Sequence, residues 1–307
     1  MPARLAIVDA HHHVWDLNRN HHPWLCDEPP IPFRYGDYSA LRRNYLPADY
    51  LRDSGRFDVL ASVYVEAEWD PSDPLGETRW IHEQAEQTGL PGAVVAQAWL
   101  DREDVAQVLA DQAGWPLVRS IRHKPRAASK PESARRGEPG SMDDTRWRDG
   151  YALLARHGLH FDLQTPWWHF DAAAALARDF ADTWLIVNHT GLPADRSPAG
   201  LDAWRRALEA LAAQNNVRIK ISGLGVPGRA WTVADNAGVV RDAIAIFGAE
   251  RAMFASNFPV DSLVAGFQTI FDGFDAITAD LPPAQRDRLF SGTAIETYRP
   301  VLRSITY

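Results

Sequence analysis

The sequence holds a single cysteine, Cys26, among 307 residues. No internal disulfide can form, so the fold rests on its apolar core. No uncharged apolar stretch approaches the roughly 18 residues that a membrane-spanning helix needs. The opening Met1-Pro2-Ala3-Arg4 runs directly into the apolar stretch from Leu5 to Val8 and then into three histidines. That is no signal peptide, and a soluble, cytoplasmic protein is expected. There is no block of Lys and Arg either: 32 basic against 40 acidic residues leave a formal charge of −8. Such a balance offers no footprint for nucleic acid or an anionic membrane surface. Internal repeats and low-complexity tracts are also missing. With 46% hydrophobic and 23% charged residues, disorder and a coiled coil are excluded as the main architecture.

What is present is a rhythm. Eight short runs of apolar and β-branched residues read as strands: Leu5–Ala10, Val59–Glu66, Ala93–Leu100, Leu117–Arg122, Leu159–Thr165, Trp184–Thr190, Val217–Ser222 and Ala252–Asn257. Helical patterns lie between them over Glu77–Gln87, Arg102–Gln112, Thr145–His157, Asp171–Ala181, Leu201–Gln214, Asn236–Phe247 and Leu263–Ile277, with a last one near Ala284–Phe290. Val105, Val108 and Leu109 share one helical face, as do Trp204, Leu208 and Leu211. Eight such units predict an α/β fold, a single-domain (β/α)8 TIM barrel over residues 1–307. Two segments break the rhythm. Asp16–Asp58 is rich in aromatics and prolines, and His123–Asp144 carries Lys124, Arg126, Lys130, Arg135 and Arg136. As insertions after strands one and four they are expected over the C-terminal mouth, where barrel sites are built.

The strongest chemical signal is Asp9-Ala10-His11-His12-His13 at the end of the first strand. Alternation puts His11 and His13 on one face and His12 on the other. Two imidazoles on one strand end can chelate a divalent metal, although ordinary hydrogen bonding is the plainer use. His189 closes the sixth run in Asn188-His189-Thr190-Gly191 and is the candidate third ligand; alone it reads equally as a core histidine. Asp9 falls on the His11 face and reads as polar support.

In this order, the H-x-H pattern, Asn188-His189-Thr190-Gly191, the run Met253–Pro259 and the run Ser291–Arg299 resemble the amidohydrolase-2 group of the amidohydrolase superfamily. Within that group the likeness is to lactone hydrolases of the 2-pyrone-4,6-dicarboxylate lactonase, sulfomuconolactonase and sugar-lactonase type. The resemblance implies hydrolysis of a small carboxylated lactone by water attack on the ring carbonyl. It also implies one divalent metal, zinc first, at His11, His13 and His189, with a metal-free mechanism open. The aspartate expected on strand eight is Asn257 here. A neutral amide cannot accept a proton and is a weaker ligand than carboxylate. The strand-five position is Gln164, which disfavours a binuclear site.

Two carboxylates could take the missing role. If Val63 and Val65 pack against the outer helices, Tyr64 and Glu66 point inward. Asp261 would have to reach back from the loop after strand eight, and it could instead cap the helix that follows. His189, Glu66 and Asp261 are therefore the catalytic candidates. Arg122, Lys124 and Arg196 are suited to capture of a small anionic lactone or related acid. Trp15, Trp167 and Trp231 all follow strands and could wall a ring, with Tyr64, Gln164 and Asn257 as polar lining. A decarboxylase or hydratase of an aromatic or pyrone acid is the alternative on the same barrel, and loss of the aspartate argues against it. A noncatalytic binding barrel is the third reading. Exposed aromatics of the first insertion leave a homo-oligomer open.

Overall fold

The computed structural model describes residues 4–303. Eight parallel strands run in sequence order around one sheet: β1 (Ala6–His12), β2 (Asp58–Val65), β3 (Ala93–Gln97), β4 (Val118–Arg122), β5 (His160–Leu163), β6 (Leu185–Val187), β7 (Val217–Ile221) and β8 (Ala252–Phe254). A parallel bridge between His12 and Phe258 joins the last strand's extension to β1 and closes the barrel. In the insertion after β1 lie α1 (Pro23–Cys26) and α2 (Pro47–Asp53). One helix then follows each of the strands β2 to β8: α3 (Gly76–Thr88), α4 (Val105–Ala113), α5 (Thr145–Ala152), α6 (Phe170–Asp179), α7 (Pro198–Ala212), α8 (Val233–Phe247) and α9 (Phe267–Ile277). Two more, α10 (Pro283–Asp287) and α11 (Thr293–Tyr298), follow α9.

Local chemistry sets these boundaries. Helix α7 begins with Pro198 in its first turn, and the Ser197 side chain accepts the Gly200 amide, meeting two rules for a helix start. Its Trp204, Leu208 and Leu211 are fully buried on one face. Helix α9 starts at Phe267 rather than Leu263, because Val260–Leu263 winds into a separate 3-10 turn and Gly266 is the N-cap.

The strands separate two apolar layers. Ile7, Tyr64, Phe161, Leu185 and Ile219 belong to the layer shared with the helices, while Val8, Val63, Val65, Ile186 and Met253 form an interior cluster with Tyr298. The two valines thus face the barrel interior, the reverse of the orientation considered from the sequence. Tyr64 faces α3 instead, its hydroxyl donating to Glu77 Oε1 at 2.7 Å.

Strand β1 carries the feature that shapes the site. Asp9 pairs with Ser62, but the next registered pair is His12 with Tyr64, so β1 holds one extra residue there. Such a bulge inverts the alternation beyond it. Asp9 and His12 therefore share a side: Tyr50 donates to Asp9 Oδ2 at 3.0 Å and stacks on the His12 ring at 4.3 Å. The expectation that Asp9 shares the face of His11 fails for this reason.

Deeper in the barrel sits Asp162. It accepts from Ser120 (2.7 Å), Asn188 (2.8 Å) and Tyr298 (2.9 Å), and it pairs with Lys220 Nζ at 2.6 Å. Tyr298 enters from the N-terminal end, since the chain after it bonds to Gly92 and Leu60.

Candidate active site

Residues from β1, β6, β7 and the turn after β8 meet at the C-terminal mouth. His11 Nε2 and His13 Nε2 stand 3.2 Å apart, and the His189 ring centroid lies 4.5 Å from that of His11. His13 Nδ1 donates to the Val65 carbonyl at 2.7 Å, which leaves Nε2 as the lone-pair nitrogen. His189 Nδ1 bonds Ser222 Oγ at 2.9 Å. Burial holds all three imidazoles far below the usual histidine range, helped by their mutual repulsion and by the charge of Arg122. They are neutral at any physiological pH, the state a metal ligand needs.

His189 lies just past its strand rather than within it. Its backbone is left-handed (φ 55), as is that of Thr190 (φ 53), Leu192 (φ 58) and Asn257 (φ 55). With Glu68 (φ 58), five non-glycine residues at the mouth occupy this sparsely allowed region and mark a place where the fold holds strain. Histidine and asparagine are among the side chains that tolerate it best. Gly223 makes room for His189: a Cβ there would sit 2.7 Å from the imidazole Cγ.

Asn257 and Asp261 form a pair. The Asn257 amide donates to Asp261 Oδ1 at 2.6 Å, and the same oxygen accepts from the Tyr35 hydroxyl at 2.9 Å. Arg34 Nη2 stands 3.5 Å away. Burial raises the Asp261 pKa, and the Arg34 charge and these hydrogen bonds oppose that rise. Its side chain caps no helix. Glu66 is placed differently. Its carboxylate is paired with Arg122 and accepts the Glu68 amide at 2.7 Å, while Arg122 also donates to Gln164 at 2.9 Å.

The mouth opens into two adjoining lobes. The inner lobe, about 290 Å³, is bounded by His13, His189, Asn257, Arg34 and Gln164, with Phe33 and Val260 as apolar wall. The outer lobe, about 430 Å³, has Trp69, Trp99, Gln97, His123 and Glu66 in its lining. Trp24, Ile31, Glu68, Arg122 and Lys124 border both. Five expected lining residues are elsewhere. Trp15 is buried and donates to the Arg43 carbonyl at 2.7 Å; Tyr64 faces α3; Trp231 packs on Phe274. Arg196 reaches the Leu224 carbonyl at 3.0 Å, and Trp167 rests edge-on against Trp168, whose indole anchors the second insertion through Ala128. Large side chains after strands served to pin loops here, an outcome composition alone does not distinguish. Conversely, Trp24, Phe33, Arg34 and Glu68 line the mouth and were not singled out. The only signal for the first three was their place in the insertion expected over it.

The sequence matches the Amidohydrolase family over residues 8–299. The chain belongs to that family. It is therefore a hydrolytic enzyme. A relative from Sinorhizobium fredii, the uncharacterized protein y4mH, is 38% identical, with 96% of this chain and 99% of that protein covered. An L-fucono-1,5-lactonase of Burkholderia multivorans is 29% identical, with 95% of each chain covered. An amidohydrolase from Burkholderia multivorans, solved with bound zinc, superposes with a TM-score of 0.78 at 25% identity, covering 96% of this chain and 100% of that one.

This amidohydrolase has donors suited to such an ion. Two nitrogens bound to one tetrahedral zinc at about 2.0–2.1 Å lie roughly 3.3 Å apart, close to the His11–His13 separation of 3.2 Å. The Val65 carbonyl orients His13 as carbonyls commonly orient ligating histidines. Among the described residues no group of three His, Cys, Asp or Glu stands in full coordinating array, so the fit rests on this pair and on the neutral state of His189.

Proposed function

We propose that this amidohydrolase opens a small, uncharged, hydroxylated lactone by adding water to the ring carbonyl. The observation that carries the reading is the convergence of three neutral imidazoles at the mouth, where His13, His189 and Asn257 line one small lobe, His11 packs against both histidines and Asp261 is bonded to Asn257. The 29% identity to an L-fucono-1,5-lactonase supports the same class of reaction. The charge of the lining argues for an uncharged substrate rather than the anionic one suggested by the cations alone. Each cation at the inner lobe has its own carboxylate: Arg122 has Glu66, Lys124 has Glu68 and Arg34 has Asp261. None is left to offset a substrate charge, whereas paired donors and acceptors suit hydroxyl groups.

A divalent metal at His11, His13 and His189 would polarise the carbonyl and lower the pKa of a water. The chain's own residues do the rest. With its NH₂ committed to Asp261, the Asn257 amide turns its carbonyl end away from that bond and orients the water as a hydrogen-bond acceptor. Asp261, raised by burial, takes the water's proton. The carbonyl carbon gains the hydroxyl, the ring C–O bond breaks, and the proton passes to the departing ring oxygen, giving one open-chain hydroxy acid. Glu66 holds Arg122 in place at the lobe border.

The test is hydrolysis of L-fucono-1,5-lactone and related sugar lactones, followed by acid release, for Asp261→Asn and Glu66→Gln. Asp261→Asn should lower kcat by roughly 10²–10⁴, the usual contribution of a general base. Glu66→Gln should act mainly on KM. If Asp261→Asn keeps its kcat, the assignment of the base is wrong; if no lactone is turned over by the parent enzyme, the reaction is.

A further inference from the structure

The outer lobe is larger than the lobe that holds the histidines, about 430 against 290 Å³, and the proposed reaction makes no use of it. Its polar groups are unusual. Gln97, at the end of β3, is only 7% exposed, yet its side-chain Oε1 has no hydrogen-bond partner. That oxygen is closed off from the lobe, so the end of the amide open to it is Nε2, a donor that likewise has no protein partner. Beside it in the lining is His123, whose Nδ1 accepts from the Leu100 amide at 3.1 Å and the Trp147 indole at 3.0 Å. The proton is therefore on Nε2, the other ring nitrogen, which has no protein partner assigned. Two unpaired donors, Gln97 Nε2 and His123 Nε2, thus border one cavity, flanked by the indoles of Trp24, Trp69 and Trp99. Arg102 stacks over the Trp99 ring at 5.0 Å.

We infer that this lobe is a second sugar-ring subsite, and that the substrate is a two-ring lactone: a hydroxylated lactone bearing a glycosyl substituent. A pyranose ring offers hydroxyl oxygens that accept, matching Gln97 Nε2 and His123 Nε2, and it offers a C–H face suited to indole. The Glu68–Lys124 pair borders both lobes and stands where the linkage between the rings would cross. Glu68 is held there in a left-handed backbone (φ 58), with its amide bonded to Glu66. A monocyclic lactone fills the inner lobe and leaves the Gln97 and His123 donors unpaired; a glycosylated one pairs them.

This inference rests on the lactonase reading, and the experiment separates the two. Hydrolysis of D-glucono-1,5-lactone is compared with that of cellobiono-, maltobiono- and lactobiono-1,5-lactone, for the parent enzyme and for Gln97→Leu and Trp69→Ala. At least one two-ring lactone should give a higher kcat/KM than the one-ring lactone. Both variants should lower that two-ring to one-ring ratio by roughly 10- to 100-fold, the worth of a lost buried hydrogen bond or stacking wall. One-ring turnover with no two-ring preference, or a ratio unmoved by either variant, overturns the subsite and spares the lactonase reading. Should no lactone react, quenching of tryptophan fluorescence by cellobiose, maltose and lactose is measured instead. Gln97-dependent quenching would then sustain the subsite, and its absence would overturn it.

Discussion

Gly223 offers the sharpest test of the strained mouth. Its φ is +62, and a Cβ at this position would meet His189 Cγ at 2.7 Å and its Cβ and Nδ1 at 2.8 Å. In Gly223→Ala the ring must retreat by about 0.7 Å to regain ordinary contact at 3.4 Å. That movement pulls Nδ1 from Ser222 Oγ, now 2.9 Å away, and shifts the ring relative to that of His11, whose centroid lies 4.5 Å off. A misplacement of about 1 Å at a reacting centre lowers rate by roughly 10²-fold. The left-handed backbone adds a stability loss of about 1–2 kcal/mol for any residue with a Cβ. Gly228 supplies the control, because its φ is +68 and nothing lies within 4 Å of its Cβ position. Gly223→Ala and Gly228→Ala should therefore share a lowering of Tm by a few degrees, roughly 2 °C per kcal/mol. Only the first should lose about 10²-fold in kcat/KM on a lactone. The assays are thermal unfolding by circular dichroism and initial rates under matched conditions. If Gly223→Ala keeps its activity, or Gly228→Ala loses as much, the reasoning from the His189 contact is refuted.

Two further outcomes follow from buried carboxylates. Asn257→Asp places a second acid where the amide now donates at 2.6 Å to Asp261; two carboxylates at that distance cannot both ionise, so turnover should fall roughly tenfold or more, and an increase would contradict the pairing. Glu77 is pushed up to about 8 from 4.5, chiefly by burial and then by the charge of Glu66. The native state keeps this proton while the unfolded chain loses it near 4.5, so stability is full below that pH and is lost as pH rises through about 8. Glu77→Gln keeps the acceptor for Tyr64 and the Ala67 amide but has no proton to lose. Its Tm relative to the parent should climb between pH 5 and 9, by an amount worth at most about 5 kcal/mol; a difference that does not vary with pH would count against the shift.

The barrel was readable because each strand-and-helix unit repeats a local pattern, apolar runs of period two followed by faces of period 3.6. Strand ends were read too long, most clearly at Trp184–Thr190, where β6 stops at Val187. Burial continues past that point through Asn188, His189 and Thr190, while the backbone leaves the sheet to present His189. The H-x-H pair was legible because His11 to His13 lies beyond the bulge, where alternation holds locally. Asp9 lies before it, so counting across the extra residue put it on the wrong side. The inward or outward sense of β2 had no local signal, since Val63, Tyr64 and Val65 are all buried. Partners distant in the chain were beyond reach: nothing near Arg122 announces Glu66, and nothing near Asp261 announces Tyr35.

The carboxylate of Asp162 has a consequence for how the molecule is assembled. Its four neighbours come from β4, the residue after β6, β7 and α11, so one buried anion is satisfied by segments from Ser120 to Tyr298. Lys220 is fully enclosed, and a cation stranded there without its anion would be penalised by several kcal/mol. No half of the barrel contains the set: a fragment ending after β4 has only Ser120, and one starting at β5 lacks it. The eight units therefore do not behave as modules added one by one. Asp162 acts as a keystone, tying the last helix to the middle strands, and cleavage between halves or removal of α11 would loosen the whole ring together.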